Sequence, residues 1–260
     1  MLAAQLYTLR EATKTREGFV DCLRRLAEIG YQGVQLSAVG CMAGEAPEVD
    51  VREARELLDR FHLKCAATHR PWPRFLANLS EEIETHKVLG CDYAAIGSLP
   101  GEYGSAEGYR RFLSEAAPVA RKLEESGISF GYHNHSHEFA RDAATRERLI
   151  DILIDEGGPL IMMELDTYWV AHAGADPALF VRRCDGRVRV IHVKDTEVVP
   201  GEGPVMAPVG EGNQNWSAII DAGLASGVEW WTVEQDECRR DPFDCLKSSF
   251  DFLSAALGST

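Results

Sequence analysis

Short apolar runs alternate along the whole chain with longer segments in which apolar residues recur at spacings of three and four. Parallel strands joined by crossover helices leave this pattern. A strand buried on both faces reads as a near-continuous apolar run, whereas its covering helix shows a single apolar stripe. Eight runs qualify: LAAQLYTL (2–9), GVQLS (33–37), KCAATH (64–69), YAAIGS (93–98), ISFGYHN (128–134), LIMMELD (160–166), RVRVIHVKD (187–195) and EWWTVEQ (229–235). Between them GFVDCLRRLAEIG, VREARELLDRF, LSEEIETHKVLG, YRRFLSEAAPVARKLEESG and WSAIIDAGLASG carry helical spacing. Gly30, Gly90, Gly127 and Gly227 follow the last apolar turn of four of them, where a left-handed residue commonly closes a helix. Eight such units, undivided by any linker rich in Pro, Gly or Ser, predict an α/β chain folded as one closed (β/α)8 TIM barrel, a single domain over 1–260.

Composition narrows the chemistry. The 260 residues suffice for one such barrel, and 45% of them are hydrophobic. With 41 acidic against 27 basic residues the formal net charge is −14, which repels nucleic acid and anionic membrane surfaces. No apolar run reaches the roughly 20 residues of a membrane span, and the N-terminus lacks a basic region before an apolar core, so a cytoplasmic location is expected. The seven cysteines are scattered without a CxxC pair and read as reduced packing residues. No GxGxxG follows the first run, which continues as REATKTREG, and no GxxxxGK[ST] occurs, which removes most nucleotide chemistry. GEGPVMAPVGEGNQNW (201–216) is the longest expected loop.

Catalytic groups of a barrel come from the carboxyl ends of its strands, and here carboxylates and histidines crowd the last four. Run five leads into GYHNHSHEF, run six ends in ELDTYW, run seven in IHVKD and run eight in VEQD. Glu138, Asp166, His192 and Glu234 are separated by 28, 26 and 42 residues, against an average of about 32 per barrel unit. One ligand per consecutive strand would gather three carboxylates and an imidazole, a set for one divalent ion such as Mn²⁺, Zn²⁺, Co²⁺ or Mg²⁺. The bland alternative is a row of solvated rim residues, but carboxylates brought that close repel one another unless a cation neutralises them.

At these residues the chain resembles the xylose-isomerase-like barrel superfamily of sugar and sugar-phosphate isomerases, epimerases and inosose dehydratases. QLYTLR, YHNHSHEF, LDTYW, IHVKD, GEGNQNW and VEQD carry the resemblance over nearly the whole length. It implies that Glu138, Asp166, His192 and Glu234 bind the metal, with His133, His135 and His137 as rival donors beside Glu138. The DNA-repair endonuclease branch uses more histidine ligands and a DNA-facing surface, from which eight histidines and a charge of −14 depart.

The resemblance also implies the reaction. A divalent ion that holds a carbonyl and a neighbouring hydroxyl acidifies the C–H between them, and Glu138 and Glu234 on opposite faces would remove and return the proton. That is a sugar isomerase or epimerase. A dehydratase would begin alike and then expel a β-hydroxyl with His69, His135 or Lys194 as acid, and a catalytically silent sugar-binding barrel is the third alternative. Lys194 shares strand parity with His192, and Glu164 shares it with Asp166, beneath which it would orient other groups; Asp195 has the opposite parity and suits a supporting role. Gln5 and Tyr7 alternate onto one face and, with Gln35 lower down, suit hydroxyl recognition. Trp72, Trp169 and Trp216 offer faces for a sugar ring. The expected partner is a small carbohydrate, with self-association of exposed helices open.

Overall fold

The computed structural model describes residues 1–184 and 186–258. Eight parallel strands close into a barrel: β1 (Leu2–Gln5), β2 (Gly33–Leu36), β3 (Lys64–His69), β4 (Tyr93–Ile96), β5 (Ser129–His133), β6 (Ile161–Asp166), β7 (Val190–Val193) and, after a hairpin of β8 (Asp195–Val199) and β9 (Gly203–Ala207), β10 (Trp230–Val233). Closure runs β1-β10-β7-β6-β5-β4-β3-β2. Outside lie α1 (Arg16–Ile29), α2 (Val51–Arg60), α3 (Trp72–Leu89), α4 (Ala106–Glu124), α5 (Leu149–Glu156), α6 (Thr167–His172), α7 (Pro177–Arg183), α8 (Trp216–Ala225) and α9 (Pro242–Leu257). Among the described residues no helix is long and apolar enough to cross a membrane.

Local chemistry explains the boundaries. Thr15, Asp50 and Ser105 accept backbone N–H bonds at the starts of α1, α2 and α4, and Gly30 and Gly90, at φ 116° and 62°, close α1 and α3 in a conformation that costs other residues energy. The helix expected from residue 79 begins earlier, at Trp72 behind Pro71, and kinks at Asn78.

Two predicted strands are corrected. The run 2–9 leaves the sheet at Gln5, whose side chain accepts the Tyr7 N–H (3.3 Å) and turns Leu6–Leu9 into a 3-10 helix. The alternation that placed Gln5 and Tyr7 on one face is therefore broken: Gln5 is buried below and Tyr7 stands at the rim, 36% exposed. The run 187–195 keeps only Val190–Val193 in the barrel, and Asp195–Val199 pairs antiparallel with Gly203–Ala207, so part of the expected 201–216 loop is strand.

Two apolar layers hold the ring. The larger lies between strands and helices, and six of the seven cysteines are buried. The smaller, Ala3, Ala66, Ala67, Tyr93, Ala95, Val190 and Trp230, fills the lumen as a floor. Glycines make room for its large rings: a Cβ on Gly131 would meet Tyr93 Oη at 2.4 Å, and one on Gly33 would meet the Trp230 ring at 2.8 Å.

Candidate metal centre at the mouth of the barrel

Above that floor the inward positions change character. Val190 is followed by His192 and Lys194, Met162 by Glu164 and Asp166, and Trp230 by Thr232 and Glu234, two residues at a step, as strand alternation requires. Register aligns them across the sheet: His133 pairs with Glu164, and Asp166 with His192.

Four donors of different strands face one another here: His133, Asp166, His192 and Glu234, all buried, offer ligand atoms within 4.8 Å of each other. His192 Nδ1 lies 2.8 Å from Glu234 Oε2 and 4.0 Å from Asp166 Oδ2, and His133 Nε2 lies 3.9 Å from Asp166 Oδ2. Groups behind set the rings. His192 Nε2 meets Gln35 Oε1 at 2.7 Å, which assigns the proton to Nε2 and aims Nδ1 at the carboxylates, while Gln35 Nε2 donates to Glu164 Oε1 (3.0 Å). Glu164 Oε2 receives His69 Nε2 and lies 3.6 Å from His133 Nδ1.

Glu138 lies outside this group, apart from the three residues with which the sequence placed it. β5 ends at His133, and the turn that follows folds the Glu138 carboxylate back onto the Tyr132 hydroxyl (2.9 Å), the His135 N–H (2.8 Å) and His137 Nε2 (3.0 Å). Tyr132 has the parity opposite to His133 and packs outward against Phe112 of α4, so Glu138 sits in the layer between barrel and helices. His133 is the donor that β5 contributes to the mouth. The inward step from Gly131 to His133 was the signal for it, and the chain position of a glutamate was not.

Electrostatics shows what the cluster lacks. Burial pushes Asp166 up to about 6 in spite of Lys194 and His192, and its Oδ2 is buried without a hydrogen-bond partner although the Lys194 ammonium stands 3.1 Å away. Burial would lower His192, but Glu164 and Glu234 outweigh it and raise it to about 10. Burial likewise opposes ionisation of Glu164 and Glu234, yet the first is held down to about 2 by His69 and His192, and the second well below the usual carboxylate range by Lys194 and His192. The site thus retains protons to offset surplus negative charge. Two imidazole nitrogens and two carboxylate oxygens suit a borderline divalent cation, and the orphaned Asp166 Oδ2 is a position such an ion would satisfy; the residues fit the group.

A cavity of about 660 Å³ opens over this cluster, lined among others by His69, His135, Trp169, Lys194, Glu234 and Asp236. Lys194 is committed to carboxylates: Nζ lies 2.7 Å from Glu234, 3.0 Å from Asp236 and 3.1 Å from Asp166. Asp236, which the sequence reading overlooked, is thereby part of the wall. Asp195 points away and anchors the 210–216 segment, accepting N–H bonds from Gly210 (3.0 Å), Gly212 (3.1 Å) and Gln214 (3.2 Å) and the Trp216 indole N–H (2.6 Å). Trp216 is therefore a buried anchor, and Trp72 packs in the helix layer on Phe112 and Phe130; of the three tryptophans Trp169 is the one half-exposed at the cavity.

The chain belongs to the xylose isomerase-like TIM barrel family, whose model matches residues 23–255. Inosose dehydratases of Mesomycoplasma hyopneumoniae are similar in sequence. That of strain J is 22% identical over 92% of this chain and 89% of its own. That of strain 7448 is 23% identical over 52% and 50%, so in that match the chain spans half the relative's length. Among solved structures, a sugar phosphate isomerase/epimerase of Parabacteroides distasonis superposes with TM-score 0.82 at 21% identity, over 98% of this chain and 93% of that one. The IOLI protein, solved with a zinc atom bound, gives 0.71 at 15% identity over 100% and 99%.

Proposed function

We propose that this chain is a divalent-metal-dependent enzyme that moves a proton at the carbon beside the carbonyl of a keto-sugar, sugar phosphate or keto-polyol, as an isomerase or epimerase. The convergence of His133, Asp166, His192 and Glu234 around an orphaned carboxylate oxygen carries the reading. It finds support in the sugar-processing names of the relatives. A divalent ion held there supplies Lewis acidity, which lowers the cost of charge developing on a carbonyl oxygen.

The chain's own residues supply the rest. Glu234 is the base: its carboxylate opens onto the cavity beside the donors of the other strands. Lys194, whose Nζ lies 2.7 Å from Glu234, is the proton donor on the same side. Across the barrel, the ends of β3 and β5 present His69 and His135 to the cavity; burial lowers His135 to about 4, so its ring is neutral. With Glu138 outside the mouth, a two-carboxylate exchange gives way to a carboxylate opposite an imidazole. The same observation favours dehydration as the second reading: Glu234 removes the proton and Lys194 protonates a departing hydroxyl, leaving an unsaturated ketone and water.

The test is metal analysis of purified protein reloaded with Mn²⁺ or Zn²⁺ and dialysed. One equivalent is expected, lost in His133→Ala and kept in Glu138→Gln; no stoichiometric ion in the unaltered chain would refute the metalloenzyme. Parallel assays of ketose epimerisation and of inosose dehydration, the latter followed by ultraviolet absorbance, separate the two reactions.

A further inference from the structure

The charge state of the ligand is written into the cavity wall. Among the described residues two cations line it, Arg70 and Lys194, and neither is free. Arg70 forms a two-pronged pair with the fully buried Glu82, at 2.6 and 2.9 Å. Arg74 shares Glu82 (2.6 Å) and also holds Glu81 (3.0 Å), so two guanidiniums face two carboxylates there. Lys194 keeps both oxygens of Asp236, at 3.0 and 3.2 Å, even if Asp166 and Glu234 turn to a cation. Such a cation would carry two positive charges against the two of those carboxylates. No surplus positive charge is left to neutralise a phosphate dianion or a carboxylate, whose desolvation would go unrepaid.

Helix N-termini, the other common anion sites, offer few donors beside the cavity. α3 begins at the cavity with Pro71, Trp72 and Pro73, where two prolines remove N–H donors, and the next amide, Arg74 N–H, is given to Pro71 O (3.0 Å). α6, which carries Trp169 into the cavity, is capped by Asp166 Oδ1 on the Trp169 N–H (2.9 Å). By contrast, two neutral groups of the cavity wall are left without a partner: the Trp169 indole N–H and His135 Nδ1 are both buried and unbonded. Their rings pack together at 5.4 Å, which forms a wall able to lie against a sugar ring.

We infer that the cavity takes an uncharged polyhydroxylated ligand, a free keto-sugar or cyclic keto-polyol, and discriminates against its phosphorylated or carboxylated counterparts. This rests on the carbohydrate reading above and narrows it.

The experiment uses the full chain loaded with Mn²⁺ and matched pairs that differ only by phosphate: D-fructose and its 6-phosphate, D-tagatose and its 6-phosphate, D-ribulose and its 5-phosphate. Binding is read by tryptophan fluorescence and calorimetry at physiological ionic strength. At least one neutral ketose is expected to bind about tenfold or more tighter than its phosphate, a difference of about 1.4 kcal/mol, and millimolar inorganic phosphate is expected not to displace it. In Asp236→Asn, which leaves Lys194 short of one carboxylate, the discrimination should shrink. Equal or tighter binding of the phosphates, displacement by inorganic phosphate, or binding of neither a neutral ketose nor an inosose tested beside them would each overturn the inference. Failure here is distinct from failure of the enzyme reading: a protein that takes up metal but prefers phosphates loses only the inference, whereas one that takes up no metal loses the enzyme.

Discussion

The floor and the mouth of the barrel are built by the same strands, with the same inward parity, four residues apart. Trp230 and Glu234, Met162 and Asp166, and Val190 and Lys194 each occupy one strand and one face, yet the first member of each pair packs in an apolar lumen and the second belongs to a charged cluster. The floor has no polar work to do, since tight contacts such as Tyr93 over Gly131 fix the lumen from below. The mouth gathers buried carboxylates around Lys194 and His192 and persists because the strands beneath hold their Cα positions. Stability is concentrated at one end and chemistry at the other, a division that barrels tolerate because the loops of one face contribute little to the ring.

That division can be broken from either side. The largest effect is expected at the mouth: Glu234→Gln removes the proposed base and metal donor, and should lower kcat by about three orders of magnitude or more while the melting temperature changes little. Unfolding of that variant would refute the contrast. The floor should respond in the opposite sense. Trp230→Ala opens a cavity in the lumen and should cost about 3–5 kcal/mol in urea unfolding, with metal stoichiometry retained in the fraction that remains folded. Loss of metal without loss of stability would show that floor and mouth are not separable.

The smallest effect sharpens the comparison by taking charge outside both regions. Glu82 is fully buried between Arg70 and Arg74; burial opposes its ionisation, but the two guanidiniums hold its carboxyl below the ordinary range. A depressed folded value stabilises the protein above the unfolded carboxyl value, about 4.3, and the benefit disappears as pH falls through the folded value. Next to it His86 is buried and its value lowered by desolvation, so the unfolded chain takes up that proton first and stability already declines below about 6.5. Urea midpoints measured from pH 7 to pH 3 should fall in two stages, the upper one reduced in His86→Gln and its remainder carried by His135, whose value burial also lowers. A single stage that this substitution leaves unchanged would refute the assignment.

Much of this was legible before folding. Apolar periodicity, helix-closing glycines and unit length determined the eightfold barrel, because those are local properties of each segment and the closed ring is how eight such units bury both faces. Asp166, His192 and Glu234 could be read as inward strand ends for the same reason: parity along a strand is local. Three features were not local. Whether β5 offers His133 or Glu138 depended on where the strand stops and which way the next turn folds, and Tyr132, together with the His135 amide, decided that by capturing the glutamate. The fate of 195–207 depended on antiparallel pairing across a turn, which turned an expected strand end and loop into a hairpin. The commitment of Lys194 to Asp236, 42 residues away, rested on a distance that only the closed barrel sets. The sequence by itself determined the ring and most of the donors it carries. The tertiary structure decided which donors meet and which charges remain free, because bond geometry and burial belong to neighbours in space.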